Sequence, residues 1–133
     1  MTLWRSGPAP APGAWLLAGL IGWVWSVPFG LLLWLVAVGL GRLVPELALM
    51  PMAAALFLLF APAFSWVGLL IALPMAVGAA RRGLFGPGSA ALIGAVAGGL
   101  AAWALGGTSE VMTAVFGVIT LLIVRAVLTR AAR

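Results

Sequence analysis

The sequence predicts an all-α fold, a polytopic bundle of transmembrane helices with five or six short spans, and three observations lead there. Hydrophobic residues make up 65% of the 133-residue chain and charged residues 7%, where a soluble domain holds roughly 45–50% and 25%. A water-facing surface could not be assembled from such a composition. The seven arginines and two glutamates fall between the apolar runs or at the ends, not inside them, which is the pattern of loops that flank membrane segments. The runs also lack the alternation of lipid-facing and lumen-facing residues that a membrane barrel requires.

Residues 1–12 are expected to form a flexible Pro/Ala-rich arm, with Pro8, Pro10 and Pro12 favouring extended backbone. A single integral membrane domain is expected over residues 13–133. Arg5 followed by apolar chain resembles a secretory signal, but the stretch from Gly13 runs far beyond a signal core of roughly 7–15 residues. It is read as an uncleaved first segment. As a continuous helix, Gly13 to Gly41 would measure about 43 Å against about 30 Å of hydrocarbon. It is therefore either one long tilted span kinked at Ser26-Val27-Pro28, or a hairpin of two short helices turning there. Leu47 to Ala80 is interrupted by Ala61-Pro62-Ala63-Phe64-Ser65. Two slightly short crossings fit it better than one, with Pro62 stopping the first helix and Ser65 capping the second.

The next span runs from Gly88 to Gly106. Gly83 and Gly86-Pro87-Gly88-Ser89 mark the turn before it, and Gly106-Gly107-Thr108-Ser109 the turn after it. The last span extends from Glu110 to about Leu128, with Ser109 as N-cap and Glu110 favourably placed against the helix dipole.

Arginine placement sets the topology. With five spans the N-terminus is outside, and Arg42, Arg81, Arg82, Arg125, Arg130 and Arg133 face the cytoplasm. With six, Arg5 joins them. Geometry favours five and charge favours six, and six is the expectation carried forward. The C-terminus is cytoplasmic in both, and the expected location is the cell inner membrane. The same arginines are candidate contacts for anionic lipid headgroups. Spread over gaps and ends, they form no basic groove, so no nucleic-acid partner is expected.

Small residues recur at every fourth position in the segment after the Arg81-Arg82 turn: Ala90, Gly94, Gly98, Ala102 and Gly106. On a helix they share one face, which allows close backbone approach by a neighbour. Gly68, Ala72, Ala76 and Ala80 form a similar stripe in the preceding segment, and the two stripes are expected to pack together. The tryptophans suit an interfacial belt at Trp4, Trp15, Trp23, Trp25 and Trp66, with Trp34 and Trp103 deeper. Pro28, Pro51 and Pro74 are expected to kink their helices.

Reactive side chains are scarce. Cysteine, histidine, lysine, aspartate, asparagine, glutamine and tyrosine are all absent, so no catalytic residue, metal site or cofactor is expected. Glu46 stands four residues after Arg42, the spacing of a helical ion pair. Glu46 and Glu110 are the candidate ion or partner contacts.

The segment Arg42-Leu43-Val44-Pro45-Glu46-Leu47, with its basic, proline and acidic lead into an early span, resembles the rod-shape-determining membrane protein family MreD. The turn Arg81-Arg82-Gly83-Leu84-Phe85-Gly86 followed by a small-residue helix is loosely similar as well. The chain departs from the family in carrying Glu46 where the family usually has aspartate, and two arginines where it tends to have an acidic residue. The resemblance implies a non-enzymatic scaffold that assembles with other integral membrane subunits. Small size and scant extramembrane mass lead to the same expectation, an accessory subunit of a larger membrane complex. The alternative is a small homo-oligomeric transporter or channel component.

Overall fold

The structure, a computed structural model, describes residues 3–5, 10–107 and 110–131. Among these residues it is all-α, with α1 (Pro12–Val24), α2 (Ser26–Leu43), α3 (Pro45–Phe60), α4 (Pro62–Arg81), α5 (Pro87–Ala104) and α6 (Glu110–Ala131). Four stretches are long and apolar enough to cross a membrane: Pro12–Leu43 with α1 and α2 taken together, Pro62–Arg81, Pro87–Ala104 and Val111–Ala131. Helix α3 is a shorter apolar helix. The chain is a multi-pass α-helical membrane protein.

Both expected interruptions are present, and each is a single residue. Trp25 separates α1 from α2 with right-handed helical dihedrals (φ −56°, ψ −30°), and Ala61 separates α3 from α4 in the same conformation (φ −52°, ψ −39°). Ser26-Val27-Pro28 is then the first turn of α2 and Pro62 opens α4, positions where a missing amide hydrogen costs little. Ser65 consequently lies inside α4 and does not cap it, because Pro62 has already started the helix three residues earlier. Pro51 and Pro74 do fall inside helices, in α3 and α4.

The chain forms two compact units, residues 24–64 and the remainder. In the smaller unit α2 and α3 lie antiparallel, Gly30 against Leu59 and Gly41 against Ala48. The turn between them is Val44 alone, with extended backbone (φ −142°, ψ 91°) and its amide bonded to Leu40 O at 2.7 Å. Pro45 then starts α3 at a position that needs no amide hydrogen.

The larger unit is built from α1, α4, α5 and α6. Its core is made largely of small residues from α4 and α5, including Ala72, Ala76, Ala90 and Ala97, filled out by Ile93 of α5, by Leu121, Val124 and Leu128 of α6 and by Ala18 of α1. Helix α1 contacts two neighbours through glycines. A methyl group placed on Gly19 would meet Leu73 Cδ1 of α4 at 3.4 Å, and one on Gly22 would meet Val124 Cγ2 of α6 at 2.5 Å. Helices α4 and α5 end alike. Gly83 (φ +69°) and Gly106 (φ +68°) take the left-handed conformation. Their amides and those of the next residue bond back to Ala80 and Ala79, and to Trp103 and Ala102. These are Schellman caps, which satisfy the last carbonyls and favour glycine at the left-handed position.

Candidate functional site

The small-residue stripe of α5 packs backbone to backbone on α6. Gly94 lies against the backbone of Gly117 and Val118, and Gly98 against that of Thr113 and Ala114. The pairing of 94 with 117 and of 98 with 113 makes α5 and α6 antiparallel with main chain on main chain. Ala90 and Ala102 are buried on the same helix. Gly106 is not part of this face: α5 ends at Ala104, and Gly106 is the exposed capping glycine of the turn.

Gly68, Ala72 and Ala76 of the second stripe also turn inward, with Ala72 and Ala76 buried. They share the core with Ala90 and Ala97 of α5, but Gly68 does not meet Gly94 or Gly98. Gly68 faces Ala101 and Ala97, a methyl at Gly68 lying 3.7 Å from Ala101 Cβ. Helix α5 therefore offers one face to α6 and an adjacent one to α4. The partners Thr113 and Gly117 escaped the sequence reading, although two small residues four apart in an otherwise bulky helix were the available signal.

One end of this unit gathers the basic residues. The amide of Gly88, in the first turn of α5, donates to Leu3 O at 2.9 Å, so residues 3–5 lie beside the α4–α5 turn. Arg125 of α6 donates through Nε to Phe85 O at 3.3 Å, and the Phe85 ring packs on Trp15 of α1 at 5.6 Å between centroids. The Ser89 hydroxyl lies within reach of the Leu84 and Gly86 carbonyls and braces the same turn. Arg5, Arg81, Arg82 and Arg130 are exposed at this end, Arg81 and Arg130 in the last turns of α4 and α6. The chain leaves this end after Arg5 and is back at it by Arg81.

Between α1 and α4 runs an open groove of about 710 Å³. Trp15, Leu16, Gly19, Leu20 and Trp23 line one side, and Trp66, Leu69, Leu70, Leu73, Val77, Ala80 and Arg81 the other, with Pro10 and Pro12 at the arginine end. Arg81 is its one charged lining residue. The lining recurs every three or four residues on both helices, so the groove follows their facing stripes.

Arg42 and Glu46 do not form the expected pair. The extended Val44 between them breaks the helix that a four-residue spacing needs, and each side chain is exposed at the α2–α3 turn. Arg42 instead closes α2 and Glu46 opens α3, both favourable to the helix dipoles. Trp103, expected at depth, stands one residue from the end of α5 and is 75% exposed. The Ser26 and Ser65 hydroxyls are buried without a hydrogen-bond partner. Glu110 begins α6 as expected; its side chain, the Ser109 cap and Arg133 lie outside the described residues. Among the described residues no group of three or more acidic, histidine or cysteine side chains could hold a metal ion. No protein-family model, curated protein or solved structure matches the chain.

Proposed function

We propose that this chain is a non-enzymatic accessory or scaffolding subunit of a larger complex in the cell inner membrane, with its C-terminus in the cytoplasm. The observation that carries this reading is the turn between α2 and α3. Arg42 and Glu46 are exposed there on the two sides of a one-residue turn and unpaired with each other, leaving both charges open for another subunit to engage. The same segment carries the resemblance to the MreD family, whose scaffold role and membrane partners the reading adopts. A chain without histidine, cysteine, lysine or aspartate is better suited to holding other proteins than to acid–base or covalent chemistry. The cytoplasmic assignment of the end bearing Arg5, Arg81, Arg82, Arg125 and Arg130 follows from the preference of basic loops for that side.

Gentle detergent extraction followed by mass measurement and identification of copurifying proteins tests the reading. Other integral membrane subunits are expected, and Arg42→Ala with Glu46→Ala should release them while the helical content stays unchanged. A stable solitary monomer in the mildest detergent would sink it. The competing reading, a small homo-oligomeric transporter or channel, draws on the buried Ser26 and Ser65 hydroxyls. Solute flux through liposomes of the purified chain, lost in Ser26→Ala, would favour that alternative.

A further inference from the structure

We infer that the groove between α1 and α4 is a binding site for an anionic phospholipid, with an acyl chain lying along the groove and the lipid phosphate at Arg81. The charge distribution fits such an occupant. Arg81 is the single charged residue of an otherwise apolar lining, Arg82 follows it, and no carboxylate lines the groove. Among the described residues neither guanidinium makes a hydrogen bond or ion pair, whereas the Arg125 guanidinium nearby donates to the Phe85 carbonyl.

The length fits as well. From Trp66 to Arg81 the groove follows about 22 Å of helix, more than the roughly 15 Å of hydrocarbon in one leaflet. A chain whose headgroup sits at Arg81 is thus covered along its full depth.

The cross-section favours a thin flexible chain over a partner helix. A helix is about 10 Å across and seats best on small residues, but the small stripes of this unit are already filled. Ala72 and Ala76 are buried in the core, and Gly94 and Gly98 lie against α6. The groove walls carry the bulky, exposed Leu16, Leu20 and Leu70 instead.

Native mass spectrometry of the full chain provides the test, in micelles doped with equal amounts of phosphatidylglycerol and phosphatidylcholine bearing the same palmitoyl and oleoyl chains. The wild type should retain phosphatidylglycerol about fivefold or more over phosphatidylcholine, the preference that one basic residue near a headgroup confers. Arg81→Gln with Arg82→Gln should bring the two lipids to parity, and Arg81→Lys with Arg82→Lys should keep the preference. Leu70→Trp, which fills the groove, should lower retention of both lipids, and excess inorganic phosphate should displace neither. Equal retention by the wild type, a preference that survives the glutamine pair, or displacement by free phosphate would overturn the proposal. So would a Leu70→Trp chain that holds its lipids but loses a copurifying membrane protein, since the groove would then be a helix seat. Circular dichroism and a monodisperse elution profile establish that each variant is folded. If the glutamine pair is not, Leu70→Trp decides alone, with undiminished retention counting against the site.

Discussion

The two antiparallel helix pairs, α5 with α6 and α2 with α3, both use glycine at their contacts but set it against different neighbours. On α5, Gly94 and Gly98 face the main chain of Gly117, Val118, Thr113 and Ala114. On α2, Gly30 faces mainly the side chains of Leu58 and Leu59, at 3.0 to 3.1 Å from a methyl placed there, with one backbone nitrogen at the same range. Main chain held in a helix cannot swing aside, whereas at Gly30 Leu59 Cγ can turn to another rotamer and the fixed Leu59 nitrogen and Leu58 Cβ lie far enough off to need a shift of only a few tenths of an ångström. The first pair is therefore a rigid joint, and the second has room to adjust. In lipid this difference matters, because helix association draws on close packing and not on the exclusion of water.

Substitution at the two joints separates them. Gly98→Leu should have the largest effect, about 3 kcal/mol of lost stability, at the upper end of what overpacking costs. It would be read as a lowered unfolding midpoint in detergent. Gly30→Ala should cost about 1 kcal/mol, because Leu59 must give only a few tenths of an ångström. If both variants lose the same stability, the contrast between rigid and adjustable joints is wrong. Gly106→Ala tests the cap that ends α5. It should cost about 1 kcal/mol from left-handed strain alone, read as a smaller drop of the same unfolding midpoint. Gly99→Ala should have the smallest effect, within about 1 kcal/mol and on the stabilising side, since a methyl there meets nothing within 4 Å and alanine is the better helix former. Adjacent positions 98 and 99 would then respond in opposite directions.

How much could be read in advance differed from feature to feature. The face containing Ala90, Gly94, Gly98 and Ala102 was legible from spacing, because a four-residue repeat lands on one side of any helix. The identity of its occupant was not, since Gly68 and Ala72 looked as suitable as Thr113 and Gly117. Gly106 continued the arithmetic of the repeat but not the helix, whose Schellman cap had already begun. Arg42 and Glu46 have the right separation for a pair, yet one extended residue between them removes the geometry on which that spacing rests. The groove was invisible in the sequence, because Leu16, Leu20 and Leu70 are ordinary members of apolar runs until α1 and α4 are set side by side.

The sequence by itself determined the setting, the helical class, the glycines that end α4 and α5, and the small-residue faces. All of these follow from composition or from contacts within a few residues. Tertiary structure alone decided which faces meet, that the N-terminal residues return to the Arg81-Arg82 end, and that an apolar groove opens beside Arg81. Periodicity specifies the side of a helix that seeks a partner, while the choice among similar partners depends on packing distances between segments far apart in the chain.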